Sequence, residues 1–194
     1  MAGVRQFDEA KVLAAVLDVF WRKGWEATSM ADLAEAAEVQ RGSLYHAYGG
    51  KEPLFLLAFD TYAARFQDEA RKALAAPGAR AALDGFYAVA IRNMTSGRPS
   101  RGCLTTKTAT QAEAVGPVIR KRLARLVEDL RQLVREALST EPARSQLALP
   151  PEDAAEVVVT FTRGLAVMER IEGDPARLRR TAAALVTGLV REDA

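Results

Sequence analysis

Between Gln40 and Lys51 the chain brings Arg41, Ser43, Tyr45 and His46 within a few residues of one another. Arg41 carries a fork of N–H donors, Gln40 both donors and an acceptor, Ser43 a hydroxyl, and Tyr45 and His46 aromatic rings with polar tips. Such groups suit the phosphates and base edges of a DNA groove, where phosphates fix position and base edges carry sequence. They do not suit a hydrophobic partner. Any one of these residues alone is an ordinary surface residue; together on one short helix, after a helix–turn break, they favour contact with DNA. Gln40, Arg41 and Ser43, with Gly42 among them, lie near the expected helix N-terminus and are placed for base edges. Tyr45, His46 and, at the helix exit, Lys51 are placed for phosphates at the groove wall. Thr28 and Ser29, at the start of the preceding helix, are expected to hold a further backbone phosphate.

Other chemistries find little support. The lone histidine, His46, has no nucleophile and orienting acid around it, so no catalytic triad is legible. Gly49-Gly50-Lys51 is too short for a phosphate-cradling loop and follows no strand. One histidine and one cysteine leave no ligand set for structural zinc, and no cofactor is expected. Cys103 has no partner for an intramolecular disulfide, which fits a reducing cytoplasm. It reads as a small buried hydrophobe rather than a redox sensor. The apolar runs are too short to span a bilayer and no signal-peptide pattern opens the chain, so a cytoplasmic protein away from membranes is expected. Residues Met1 to Gln6 read as a loose arm.

The 194 residues, 49% hydrophobic, suffice for a sizeable core. The net charge of +2 names no partner. From Met1 to Lys51 six Lys/Arg face seven Asp/Glu, which argues against non-specific coating of nucleic acid and makes affinity lean on dimerisation.

The positioning elements follow from periodicity. Leu13, Leu17, Phe20 and Trp21 make one apolar face of a helix from Asp8 to Lys23, ended by Gly24. Met30, Leu33, Ala34 and Ala37 recur at i, i+3, i+4 and i+7, with Ser29 as N-cap and Asp32 in the first turn. Glu38-Val39-Gln40 has the length of a helix-turn-helix turn. Arg41 to Tyr48 then turns Leu44 and Tyr48 inward. A longer helix is expected from Lys51 to Ala75, followed by helices over Ala79–Met94, Cys103–Ala114, Val118–Leu138, Glu152–Ile171 and Pro175–Val190, with Ser139 to Pro151 as a loop. The expectation is all-α: about nine helices, a three-helix helix-turn-helix bundle over residues 1–50 and a larger helical regulatory domain over 51–194.

The stretch Gly42-Ser43-Leu44-Tyr45-His46-Ala47-Tyr48-Gly49-Gly50-Lys51-Glu52-Pro53-Leu54 resembles the recognition segment of the TetR family of one-component bacterial repressors, of the type G-x-L-Y-x-x-F-x-x-K-E-x-L. The aromatic turn from Val19 to Thr28 resembles the end of that family's first helix. The resemblance covers roughly residues 7 to 56. Tyr48 replaces the usual phenylalanine. Glu38 stands where the family's turn often has glycine, and is strained if φ is positive there. Gln40 stands where a small capping residue is common.

The resemblance implies a sequence-specific repressor that binds double-stranded operator DNA and leaves it when a small-molecule inducer binds. Expected inducer-lining residues are Phe59, Tyr62, Phe66, Phe86, Tyr87, Ile91, Met94, Cys103, Leu104, Thr108 and Phe161, aromatic surface with a few hydroxyls. A homodimer is expected through the last two helices. Ala155, Val158, Val159, Thr162, Leu165 and Ala166 would face the second subunit, with Ala182, Leu185, Val186 and Leu189 matching them, while Phe161, Gly164 and Met168 pack inward. Two other readings compete: a helical small-molecule carrier or scavenger with vestigial DNA binding, and an enzyme built on the helical domain. Neither has a need for Arg41, Tyr45, His46 and Lys51 together.

Overall fold

The computed structural model describes residues 8–111 and 113–191, so the arm expected at Met1 to Gln6 lies outside the described residues. Ten helices are present among them: α1 (Glu9–Lys23), α2 (Met30–Ala36), α3 (Arg41–Tyr48), α4 (Lys51–Leu74), α5 (Ala79–Thr95), α6 (Leu104–Ala109), α7 (Pro117–Leu138), α8 (Ala143–Gln146), α9 (Pro151–Glu172) and α10 (Pro175–Leu189). The only extended pairing among the described residues is an isolated bridge between Leu147 and Val190. Contacts divide the chain into two units. The first holds residues up to Ala64 together with Lys107–Leu123, and the second Arg65–Thr106 with Ala124–Ala194. The division falls inside α4, α6 and α7, so the first unit takes in more than the first 50 residues.

In the first unit α1 starts on Asp8, whose carboxylate accepts the Ala10 and Lys11 amides, and ends at Gly24. Its buried side chains Val12, Leu13, Val16, Val19, Phe20 and Trp21 recur at helical spacing, as do Met30, Leu33 and Ala34 of α2. The core they form with α4 is aromatic. Phe20 and Phe55 meet edge to face at 4.9 Å, Trp25 and Phe55 at 5.4 Å, and Trp21 and Tyr62 at 5.0 Å. Each ring buries enough apolar surface to contribute about 1.5–3 kcal/mol, with edge-to-face geometry adding to it.

In the second unit α5 packs against α9 and α10, and α9 against α10. The short α8 is the tenth helix, inside the segment expected to be loop. It brings the Gln146 side-chain oxygen to the Ala79 amide at 2.7 Å, so it caps α5, whose own N-cap Gly78 has no side chain. Here α9 corrects the expected facing. Ala155, Val158, Val159, Thr162, Leu165 and Ala166 are at most 2% exposed and belong to the subunit's own core. Phe161, by contrast, is only half-buried, Gly164 is exposed, and Met168 is 37% exposed. On α10, Ala182, Val186 and Leu189 are likewise buried, with Leu185 half-buried. The stripe expected to meet a partner is the one that meets α5 and α10.

Candidate nucleic-acid interface

The helix-turn-helix is built from local capping. Ser29 and Asp32 form a reciprocal box: the Asp32 carboxylate accepts the Ser29 amide at 2.8 Å, and Ser29 Oγ accepts the Asp32 amide at 3.2 Å. Lys23 from the end of α1 reaches the same carboxylate at 2.6 Å. Lys23 first, then the Ser29 amide and hydroxyl, hold the Asp32 carboxyl well below the usual aspartate range. After α2 the chain turns through Glu38 at φ 53°, the only non-glycine residue with positive φ among those described. Glycine would adopt this conformation without a side-chain penalty. The Val39 amide reaches back to Ala34 O at 3.0 Å and closes the turn.

The recognition helix α3 is anchored by Leu44, fully buried, and by Tyr48. Gln40, Arg41, Gly42, Ser43, Tyr45 and His46 are all exposed around it. Arg41 sits over the Tyr45 ring, 5.6 Å from guanidinium carbon to ring centroid, which pre-positions both groups on one surface. The N-cap residue Gln40 makes no side-chain cap and the first turn of α3 has no acid, so no side chain at the start of the helix offsets its positive dipole end. A Cβ placed on Gly42 would meet nothing within 4 Å. This surface is open and rich in donors.

The other three expected contacts sit differently. Thr28 is 2% exposed and its hydroxyl donates to Gly24 O. Ser29 is exposed, but its hydroxyl and amide belong to the capping box. Lys51 Nζ turns inward and donates to Trp25 O and Thr28 O, both at 2.9 Å, while lying 4.4 Å from the Trp25 ring centroid. Burial holds its pKa below the ordinary lysine value, with Glu26 pulling the other way.

Sequence reasoning missed a second set of groups on the same turn. Lys107 Nζ donates to Trp21 O and Arg22 O at 2.7 and 2.8 Å. Gln111 Oε1 accepts the Trp25 amide at 2.8 Å, and the Trp25 indole N–H donates to Ala114 O at 2.9 Å. These partners lie more than 80 residues away along the chain, where periodicity and capping rules carry no signal. The same bonds explain why α6 stops at Ala109 rather than running to Ala114: residues 111 and 114 are engaged by the turn.

The expected inducer-lining residues divide between the units. In the first, Phe59 and Tyr62 are buried with centroids 6.0 Å apart, and Thr108 is buried. In the second, Phe66, Phe86, Tyr87, Ile91, Met94 and Leu104 are buried, and the Tyr87 hydroxyl donates to Val158 O. Phe161 meets Tyr87 edge to face at 6.1 Å. Cys103 is half-buried with Arg163 Nη1 3.7 Å from its sulfur; burial raises the thiol pKa, but Arg163 and the donors of Thr106 and Thr105 outweigh it and lower it. A cavity of about 480 Å³ does open in the second unit, lined by residues that include Arg71, Leu74, Pro77, Leu133, Glu136 and Ala143, and by none of the eleven expected. The basic run Arg120-Lys121-Arg122 with Arg125 is a solvated face: Arg122 pairs with Asp60, and Arg125 with Asp129 at 2.9 Å.

Two family models match the chain. Residues 12–58 match the bacterial regulatory proteins of the tetR family, and residues 79–185, more than half the chain, match the tetracyclin repressor-like C-terminal domain. The chain is 33% identical to the transcriptional repressor ComR of Escherichia coli over 54% of its own length and 50% of that protein's. It is 30% identical to the regulator YezE of Bacillus subtilis over 57% of its length and 58% of that protein's. The chain thus spans about half the length of these relatives. Among solved structures, a cysteine mutant of the regulator CifR in complex with a 26-bp double-strand operator DNA superposes with a TM-score of 0.84 at 29% identity, over 97% of this chain and 100% of that one. Reduced NemR of E. coli superposes with a TM-score of 0.84 at 19% identity, over 95% and 97%, a likeness of fold.

Proposed function

Since the chain belongs to the TetR family of bacterial regulatory proteins, we propose that it is a sequence-specific DNA-binding transcriptional regulator, a homodimeric repressor released from its operator by a small-molecule inducer. The observation that carries the reading is α3: Gln40, Arg41, Gly42, Ser43, Tyr45 and His46 outward, an uncapped helix N-terminus, and Leu44 and Tyr48 as anchors. Operator DNA bound to CifR, similar to this chain over its full length, supports the same partner here. Arg41, Gln40 and Ser43 read base edges; Tyr45 and His46 hold phosphates, with Ser29 at the edge of the contact. Thr28 and Lys51 support the motif from within.

DNA reading is assigned to the first unit, inducer binding and dimerisation to the second. The dimer still uses α9 and α10, through their outward faces. Val157, Phe161, Gly164, Met168 and Ile171 recur at i, i+4, i+7, i+11 and i+14, and Ile171 is 70% exposed, too much apolar surface for a helix that ends in water. Thr181, Ala184, Leu185 and Gly188 give α10 a compatible small-residue face. Two such pairs close a four-helix contact around a twofold axis. An inducer releases DNA by binding the DNA-incompetent state more tightly.

The test is selection from a random duplex library by the purified chain. A palindromic consensus is expected; absence of any enriched sequence at moderate salt overturns the reading.

A further inference from the structure

Side chains from outside α1 and α2 grip several backbone groups of the turn between them. A helix leaves its last carbonyls without intrahelical partners, and its C-terminal end attracts cations. At the end of α1, one ammonium takes two of those carbonyls: Lys107 Nζ on Trp21 O and Arg22 O. Gln111 Oε1 takes the next free amide, that of Trp25, and Lys51 takes Trp25 O and Thr28 O. Gly24, at φ 81°, leaves its side-chain position to Gln111, whose Oε1 lies 2.9 Å from where a Cβ would stand. Beyond this turn the chain goes straight into α2 and the recognition helix.

We propose that Lys107, seconded by Gln111, is a positioning residue for DNA recognition: it fixes the α1–α2 turn by its carbonyls and so sets the pose of α3. The proposal rests on the DNA-binding reading above and adds a residue outside the helix-turn-helix that sets its geometry. A loosened turn leaves only a fraction of molecules with α3 in the competent pose, and apparent affinity falls by that fraction.

The experiment compares the full-length chain with Lys107→Met, Lys107→Arg and Gln111→Leu. It reads amide hydrogen exchange over residues 24–28, affinity for the selected operator at fixed salt, and the melting curve. Lys107→Met is expected to speed exchange in the turn and weaken operator binding about tenfold, the scale of losing bonds to a charged donor, with melting still cooperative. Lys107→Arg restores both because its fork still reaches two carbonyls, and Gln111→Leu acts in the direction of Lys107→Met. Unchanged exchange in Lys107→Met, faster exchange with unchanged affinity, equal loss in Lys107→Arg, or loss of the fold in both Lys107→Met and Gln111→Leu each overturns the positioning role. A wild-type chain that selects no DNA defeats the DNA reading instead, and the exchange measurement then still decides whether Lys107 fixes the turn.

Discussion

At the scale of single residues, side-chain type announced which groups of α3 stand exposed, and partners formed on folding decided which of the other expected contacts turn inward. Arg41 and Tyr45 stand outward as their positions on α3 required, stacked on one another. Arg41→Ala is expected to flatten discrimination among operator variants by about 1–3 kcal/mol at the base it reads, while Tyr45→Phe weakens all sequences alike. A binding survey over single-base operator variants distinguishes the two patterns. Lys51 and Thr28 were not legible in the same way, because the carbonyls they serve, Trp25 O, Thr28 O and Gly24 O, exist as acceptors only once α1 has ended and turned. Asp32 gives the residue scale its pH dependence. Its carboxyl is depressed in the folded state, so it stabilises the bundle fully above its unfolded pKa and loses that contribution as pH falls toward the folded value. The gap in urea midpoint between the chain and Asp32→Asn is therefore expected to be constant from neutral pH to about pH 5 and to narrow progressively below about pH 4. A gap equally wide at pH 2 and pH 7 assigns the loss to packing rather than to the charge.

At the scale of elements, the long helices were legible because burial imposes a period, and their ends because capping is local. Gly24 ends α1, Ser29 with Asp32 starts α2, and positive φ appears at Glu38 where the turn demanded it. What periodicity does not say is which side an apolar stripe faces. α9 carries two, and Ala155, Val158, Thr162 and Leu165 obey the same spacing as Val157, Phe161, Gly164 and Met168. The buried stripe is the one with smaller side chains because α5 and α10 pack closely there. α8 was missed for a related reason: four residues are too few to show a period, and its stability comes from tertiary partners such as the Gln146 cap on α5. The two faces predict opposite phenotypes. Val158→Glu puts an unpaired charge at a position with no exposure, and should lower the melting temperature sharply or prevent folding. Met168→Glu with Ile171→Glu should leave melting of the subunit intact and give monomers in sedimentation at low micromolar concentration. A folded, dimeric double variant would move the interface off the outward face of α9.

At the scale of the molecule, electrostatics alone are weak. The chain carries a net charge of +2, and its first 51 residues sum to −1, so one recognition helix has little long-range pull on DNA. In the proposed dimer, useful affinity comes from two copies of α3 presented at a fixed separation. Fixed separation has a geometric consequence that a flexible pair of monomers would not share. Two such helices reach successive major grooves on one face of the duplex, about 34 Å apart. Inserting about five base pairs between the half-sites turns one of them to the opposite face, roughly half a helical turn away. Binding is then expected to drop to the level of an isolated half-site, while a full-turn insertion restores the facing but not the distance and recovers little. The measurement is a titration of the native and the two lengthened operators at one salt concentration. Equal affinity for all three would mean that the subunits bind independently, and the outward face of α9 would then need another purpose.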